Sequence, residues 1–330
     1  GESGFIRDGI DIINPIDLAA LNQPATPPRD LLIPQGMLWG AANLTQTLSL
    51  EGYYQYEWKR ATLPPVGSYF SNNDLLGGDG LNFAMLGAGQ FSDLGTDLDD
   101  AFALPPGTLG FDREFLRRPG RGTHTPDDQG QYGLSLSAIL PDINATKISL
   151  HFVRYHSRLP VISGRTASQA AIDQTSSAAV DELADSLVPA YEETGLAPED
   201  AEAAATQTAA ALTTSGYANQ AGYLVEYPED ITMYGLSFAT ATLKRGMLFS
   251  GEVSHHRNFP FQIDLGEVFA GALSPMEFPG DSSGALGNFG ADDYVRGYVK
   301  LDRTQATLGV TQLFGPRLGA AQTSASADIG

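Results

Sequence analysis

The chain has 330 residues and a formal net charge of −20, from 39 Asp and Glu against 19 Lys and Arg, which argues against a nucleic-acid binder because phosphate recognition needs a clustered basic surface. It contains no cysteine, so disulfides, thiolate metal centres and cysteine catalysis are excluded. No stretch approaches the roughly 18 apolar residues of a transmembrane helix, so a membrane span would have to be built from strands.

The sequence opens on Gly1 with no basic-then-apolar leader behind it, which reads as a processed chain or part of a longer one. Residues 36–43 (GMLWGAAN) and 47–60 then form a first candidate hairpin, turning near 44–46. In LSLEGYYQYEWK (48–59), Leu48, Leu50, Tyr54, Tyr56 and Trp58 fall on one face. Ser49, Glu51, Tyr53, Gln55, Glu57 and Lys59 fall on the other, the period of a strand with one apolar and one wet side. A second hairpin pairs 131–140 (QYGLSLSAIL) with 147–158 (KISLHFVRYHSR) across 141–146. A third pairs 231–242 with 247–257 through Leu243-Lys244-Arg245-Gly246, and a fourth pairs 293–301 with 305–314 through Asp302-Arg303-Thr304.

Connections within these pairs are short, whereas 61–130, 159–230 and 259–292 are long. Short turns alternating with long loops are how outer-membrane barrels are built. Fourteen residues at ~3.3 Å each, tilted by ~40°, also rise roughly 35 Å, enough for the apolar band. The expected fold is therefore all-β: an antiparallel transmembrane β-barrel of outer-membrane type, with long external loops. Residues 1–330 form a single barrel region of a longer chain, and its eight strands are a lower bound. The same alternation leaves a soluble β-sandwich open, although sandwich strands are usually shorter.

Inside 159–230, the stretches 167–188 and 198–214 are rich in Ala, Gln, Asp and Glu. Pro198-Glu199-Asp200 has the form of a helix start, so this long loop is expected to carry a helical insertion, with a poorly ordered low-complexity segment as the alternative. The tail 315–330 loses its periodicity and lacks a closing aromatic.

Three strings carry a family likeness: GESGFIRDGIDIINPIDL (1–18), LSLEGYYQYEWKRATLPPVGSYFSNND (48–74) and GEVSHHRNFPFQ (251–262), with VTQLFGP (310–316) similar to a later strand. They resemble the proteobacterial family catalogued as domain of unknown function 1302, made up of large, predicted outer-membrane proteins. The resemblance implies a bacterial outer-membrane location and traffic of an apolar or amphipathic substance. It also implies a periplasmic lipoprotein-fold partner and a resistance-nodulation-division type transporter. It supplies no catalytic residues.

On the expected wet face, Tyr53, Glu57, Lys59, His151, Glu252, Tyr294, Arg296 and Tyr298 are the candidate ligand contacts, the tyrosines for apolar groups. These charges can equally pair across strands and simply fill the interior. Acidic loops (Asp74 and Asp79; Asp97, Asp99 and Asp100; Asp127 and Asp128; Asp292 and Asp293) are oxygen-rich enough for calcium, yet none has EF-hand spacing. They also suit solvated loops facing lipopolysaccharide.

His255 and His256 are adjacent, and His151 and His156 differ by an odd number. Each pair therefore points to opposite faces of a strand, and no metal site is expected. The cluster Arg113–Arg121 suits lipopolysaccharide phosphates or acidic loop partners. There is no G-x-S-x-G elbow, H-E-x-x-H pair or Walker loop. The expectation is a non-enzymatic barrel without cofactor that handles an apolar or amphipathic substance in contact with outer-membrane lipid. Loops 61–130 and 159–230 would gate its mouth. A plugged structural or surface-interaction protein is the alternative, and a secreted soluble β-protein or hydrolase the second.

Overall fold

The computed structural model describes residues 10, 12–23, 26–71, 75–76, 83–85, 103–105, 108, 115–117, 123–242, 246–277, 284–317 and 320–330. In chain order, a short helix α1 (Leu18–Leu21) and a 3-10 turn precede β1 (Met37–Asn43) and β2 (Leu48–Gln55). Short strands follow: β3 (Phe83–Met85), β4 (Phe115–Arg117) and β5 (Thr123–His124). Next come β6 (Gln131–Leu140), β7 (Thr146–Tyr155) and β8 (Val161–Arg165), then helices α2 (Gln169–Asp173), α3 (Ser177–Glu193) and α4 (Pro198–Gln220). The chain continues through β9 (Gly222–Glu226), β10 (Ile231–Thr242), β11 (Met247–Gln262), helix α5 (Leu265–Leu273), β12 (Tyr294–Val295), β13 (Tyr298–Arg317) and β14 (Ala320–Ile329).

The large sheet is antiparallel, in the order β1-β2-β6-β7-β10-β11-β13-β14. Its period-two patterns align in rows. On the outer face, Ala42, Leu50, Leu136, Leu150, Leu236, Val253 and Ala306 lie side by side from β1 to β13. Beside them run Leu48, Ala138, Ile148, Phe238, Gly251, Leu308 and Ile329. The inner face carries Asn43, Ser49, Ser137, Ser149, Ser237, Glu252 and Thr307 in register. Ser137, Ser149, Ser237, Glu252 and Thr307 are buried, while Leu50, Leu136, Leu150, Leu236 and Val253 are exposed. A water-facing sheet normally shows the reverse polarity. The buried hydroxyls bond locally: Ser137 Oγ lies 2.8 Å from Ser149 Oγ, and His151 Nε2 3.1 Å from Ser237 Oγ.

The first three hairpins form, but the fourth does not. Residues 302–304 sit inside one continuous strand, β13, which pairs with β11 on one side and β14 on the other. The polar triplet is not a turn because β11 bulges opposite it, between His256 and Phe259. Asn258, at φ 60°, donates its backbone N–H to Asp302. Thr304 meets His255 Nδ1 at 2.9 Å, and the Arg303 guanidinium stacks over the Phe259 ring. The tail, in which the sequence shows no periodicity, contributes β14, its alternation hidden by small residues.

Closure also fails. Among the described residues β1 pairs only with β2 and β14 only with β13, so the sheet is open and the fold is mixed α/β rather than an all-β transmembrane barrel. Passage through a porin-like lumen loses its premise because no closed sheet encloses one among the described residues, and the expected outer-membrane placement loses the barrel that supported it alongside the family resemblance. No described helix is long and apolar enough to cross a membrane.

The connection 159–230 is more than a helical loop. Its β8 and β9 pair antiparallel and build a second, mixed sheet with β12, β4, β3 and β5. Ile162, Tyr217, Tyr223, Val225 and Tyr227 form its core, with Trp58 packed against them. Ser176 caps α3, whose Val180, Ala184, Leu187 and Tyr191 pack on Ala201, Ala205, Ala209 and Leu212 of α4. Alanine at every fourth position of α4 lets the two helices approach closely. Residues 61–130, the other expected gate, lie largely outside the described residues, as do Asp74, Asp79, Asp97, Asp99, Asp100 and most of Arg113–Arg121.

The two sheets meet through backbone. Gln262 Oε1 accepts from the Ile162 N–H at 2.6 Å, while its amide donates to the Ile162 and Gly297 carbonyls. The Gly297 N–H donates to Ser163 Oγ at 3.0 Å, and a Cβ at Gly297 would lie 1.7 Å from the Ile162 carbonyl oxygen. Gly297→Ala should therefore cost about 3 kcal/mol, as strain at a packed backbone crossing does. An unchanged urea midpoint would show that the crossing can relax.

Candidate functional site

At one end of the large sheet β7 runs out, and Arg158 turns inward just before β8. Its residue is only 8% exposed. Nη1 donates to Gln35 Oε1 at 2.8 Å and the Lys59 carbonyl at 3.3 Å; Nη2 donates to the Ile13 carbonyl at 3.0 Å, Gln55 Oε1 at 2.9 Å and Gln131 Oε1 at 3.4 Å. All these acceptors are neutral, and Nε has no hydrogen-bond partner among the described residues. Burial pulls the guanidinium down to about 10, still charged at neutral pH. Removing a buried charge's solvation without a counter-ion is costly, so this centre is held by dense hydrogen bonding in place of charge pairing.

Beside Arg158 lies a cavity of about 470 Å³. Ile12, Ile16 and Leu18 of the N-terminal segment form one wall, and Val161, Ile231 and Phe259 the other. The N-terminal segment is fastened there by the Ile13 carbonyl on Arg158 and Gln55 Nε2, by the Ile10 N–H on Glu252, and by packing of Ile10 and Ile12 on Val153, Tyr155, Ile231 and Met233.

The sequence-derived contacts do not converge. Tyr53 packs against the N-terminal cluster with its ring over Gly133, where a Cβ would stand 2.4 Å from the ring. Desolvation raises its hydroxyl well above the ordinary tyrosine value, against an opposing pull from Arg158. Glu57 accepts from the Gly36 N–H at 2.6 Å and pairs with Lys59 at 3.1 Å, which holds its carboxyl below the usual range. His151 and Glu252 lie on neighbouring inner rows, tied to Ser237 and Ile10. Tyr294 belongs to the second sheet, and the Arg296 guanidinium stacks over Tyr298.

Alternation put Gln55 on the polar face without marking it as a site residue, and it missed Arg158, Gln35 and Gln131. Their signal is two glutamines paired in register at Gln55 and Gln131, visible only once β2 and β6 are known to be neighbours.

A second polar cluster surrounds Glu226. Oε2 accepts from Ser163 Oγ at 2.5 Å and Tyr294 Oη at 2.6 Å, and His124 Nδ1 lies 3.2 Å from Oε1. Desolvation first, and then Glu226, raise the Tyr294 hydroxyl. The carboxylate stands between serine and histidine. A serine-nucleophile relay needs the histidine between the other two, so these groups do not make one. Among the described residues no cluster of three His, Asp or Glu side chains could hold a metal ion.

The outer face offers a different kind of site. Leu38 of β1, on this face, is 69% exposed, and the two apolar rows reach the edge strands at Ala42 and Ile329. Trp39, on the opposite face beside Tyr53, is 65% exposed. A bare edge exposes unpaired N–H and C=O groups. β1, MLWGAAN, carries no charge, proline or bulge to blunt it.

A family model described as "Protein of unknown function (DUF1302)" matches residues 1–330. No curated protein and no solved structure matches the chain.

Removing the Arg158 fork should be severe. Arg158→Met strands three glutamine oxygens and two backbone carbonyls, and is expected to lose about 3–5 kcal/mol in urea unfolding. Arg158→Lys should recover little, because a single ammonium has three donors for five acceptors and lacks the guanidinium's fork. Full recovery by lysine would show that charge alone sustains the centre.

Proposed function

We propose a function from this geometry, because the chain belongs to the DUF1302 family of proteins of unknown function, which has no activity to inherit: the chain is a structural, surface-interaction protein that works by non-covalent assembly through its large sheet. The observation that carries this reading is the apolar outer face running uninterrupted to an unblunted edge strand. Contiguous apolar surface of more than a few hundred Å² marks interaction sites. An uncharged edge recruits a further strand through main-chain hydrogen bonds.

A second copy of the chain fits this edge. Antiparallel self-pairing of β1 about Gly40 sets Trp39 against Ala41 and Leu38 against Ala42. Large residues then face small ones and no charges meet. The opposing force is the long-range repulsion of two copies at −20 each, which salt screens.

Sedimentation equilibrium tests the reading. A dimer is expected that tightens as salt rises, and Ala41→Lys at the edge should shift the protein to monomer while leaving its unfolding midpoint within about 0.5 kcal/mol of the parent. A parent chain that stays monomeric at every concentration and salt would overturn assembly through β1. Leu136→Lys, in the middle of the outer row, should weaken contacts made by the face while leaving pairing at the edge intact.

A further inference from the structure

We infer that the cavity beside Arg158 is a binding site for a small organic carboxylate with an apolar body. The inference goes beyond assembly through the large sheet and is independent of it. The volume, about 470 Å³, falls within the roughly 300–1,000 Å³ typical of small-molecule pockets. Its walls are mostly aliphatic and aromatic, and Arg158 is the only charged residue among those lining it. In a chain with twice as many acidic as basic residues, a partly open cavity with one cation and no acid among its described lining residues is an unusual local charge.

That cation has no carboxylate partner among the described residues. Its five acceptors are three side-chain amides and two peptide carbonyls, and Nε is unengaged. These dipoles stabilise the guanidinium without cancelling its charge, so a positive potential extends into a low-dielectric cavity where Coulomb energies are large. A monoanion entering it gains this attraction and buries its apolar body. A neutral guest gains only the burial. Few other polar groups line the site, so it suits a single carboxylate better than a phosphate, which needs several donors to replace its hydration. With both terminal nitrogens engaged and Nε covered by protein, recognition works through the charge of the guanidinium and not through a bidentate fork.

Calorimetric titration of the full chain at pH 8 with octanoate, and with octanol as its neutral counterpart, tests the site. Octanoate is expected to bind at least tenfold more tightly. Leu159→Trp, which puts a larger ring into the lining, should weaken octanoate at least tenfold without moving the unfolding midpoint. Equal affinity for acid and alcohol would overturn recognition of the anion. Octanoate binding that survives Leu159→Trp would place the acid elsewhere, such as on the outer apolar face, and would overturn the cavity as its site. Absence of binding by either compound would overturn the inference altogether. Self-association is measured separately, so each outcome stands whether or not the chain dimerises through β1.

Discussion

A buried guanidinium with no counter-ion among the described residues organises one whole end of this protein. Arg158 gathers the N-terminal segment at Ile13, the approach to β1 at Gln35, the ends of β2 and β6 at Gln55 and Gln131, and the segment after β2 at Lys59. Each partner is a neutral oxygen, so the cost of desolvating the charge is offset only if all of them are in place together. Such a centre resists partial formation. The N-terminal segment, otherwise held by a few apolar contacts, is fixed by it, and the position of that segment in turn shapes the cavity wall.

The inverted polarity of the large sheet is the second organising constraint. Its serines, threonine and glutamate lie inward, with Ser137 bonded to Ser149, Ser237 to His151 and Glu252 to the Ile10 N–H, while leucines, valine and aromatics lie outward. Burying polar rows brings little hydrophobic stabilisation, so cohesion comes from the hydrogen-bond ladder, from cross-strand pairs such as Phe152 with Tyr132 and Tyr234, and from the N-terminal plug. The outer rows remain available for intermolecular contacts, which is why assembly accounts for this face better than solvent exposure does.

Much of this was legible in the sequence. Alternation located β1, β2, β6, β7, β10 and most of β11 and put the polar and apolar sets on opposite faces. The Pro198-Glu199-Asp200 start and the Ala-rich composition of 198–214 marked a helix that extends to Gln220. What alternation cannot encode is which strand ends lie beside each other, so the two glutamines and the arginine that converge there looked like isolated polar residues. Nor does it distinguish a polar turn from a polar stretch of strand facing a bulge, and Asp302-Arg303-Thr304 was misread for that reason. Closure is likewise a property of pairing: the alternation that suits a barrel suits an open sheet equally well.

The order of strands in the large sheet has a consequence for how the chain folds. β7 and β10 are neighbours, with Tyr155 paired to Ile231, yet β8, three helices and β9 lie between them in sequence. Bringing such distant segments together in a bare chain carries a large loop-closure cost. The α3–α4 hairpin is locally closed, and its formation first would shorten the span that β8 and β9, and then β7 and β10, still have to join. The insertion thus doubles as an internal scaffold for folding: the ends of β7 and β10 are delivered to each other by the compaction of what separates them.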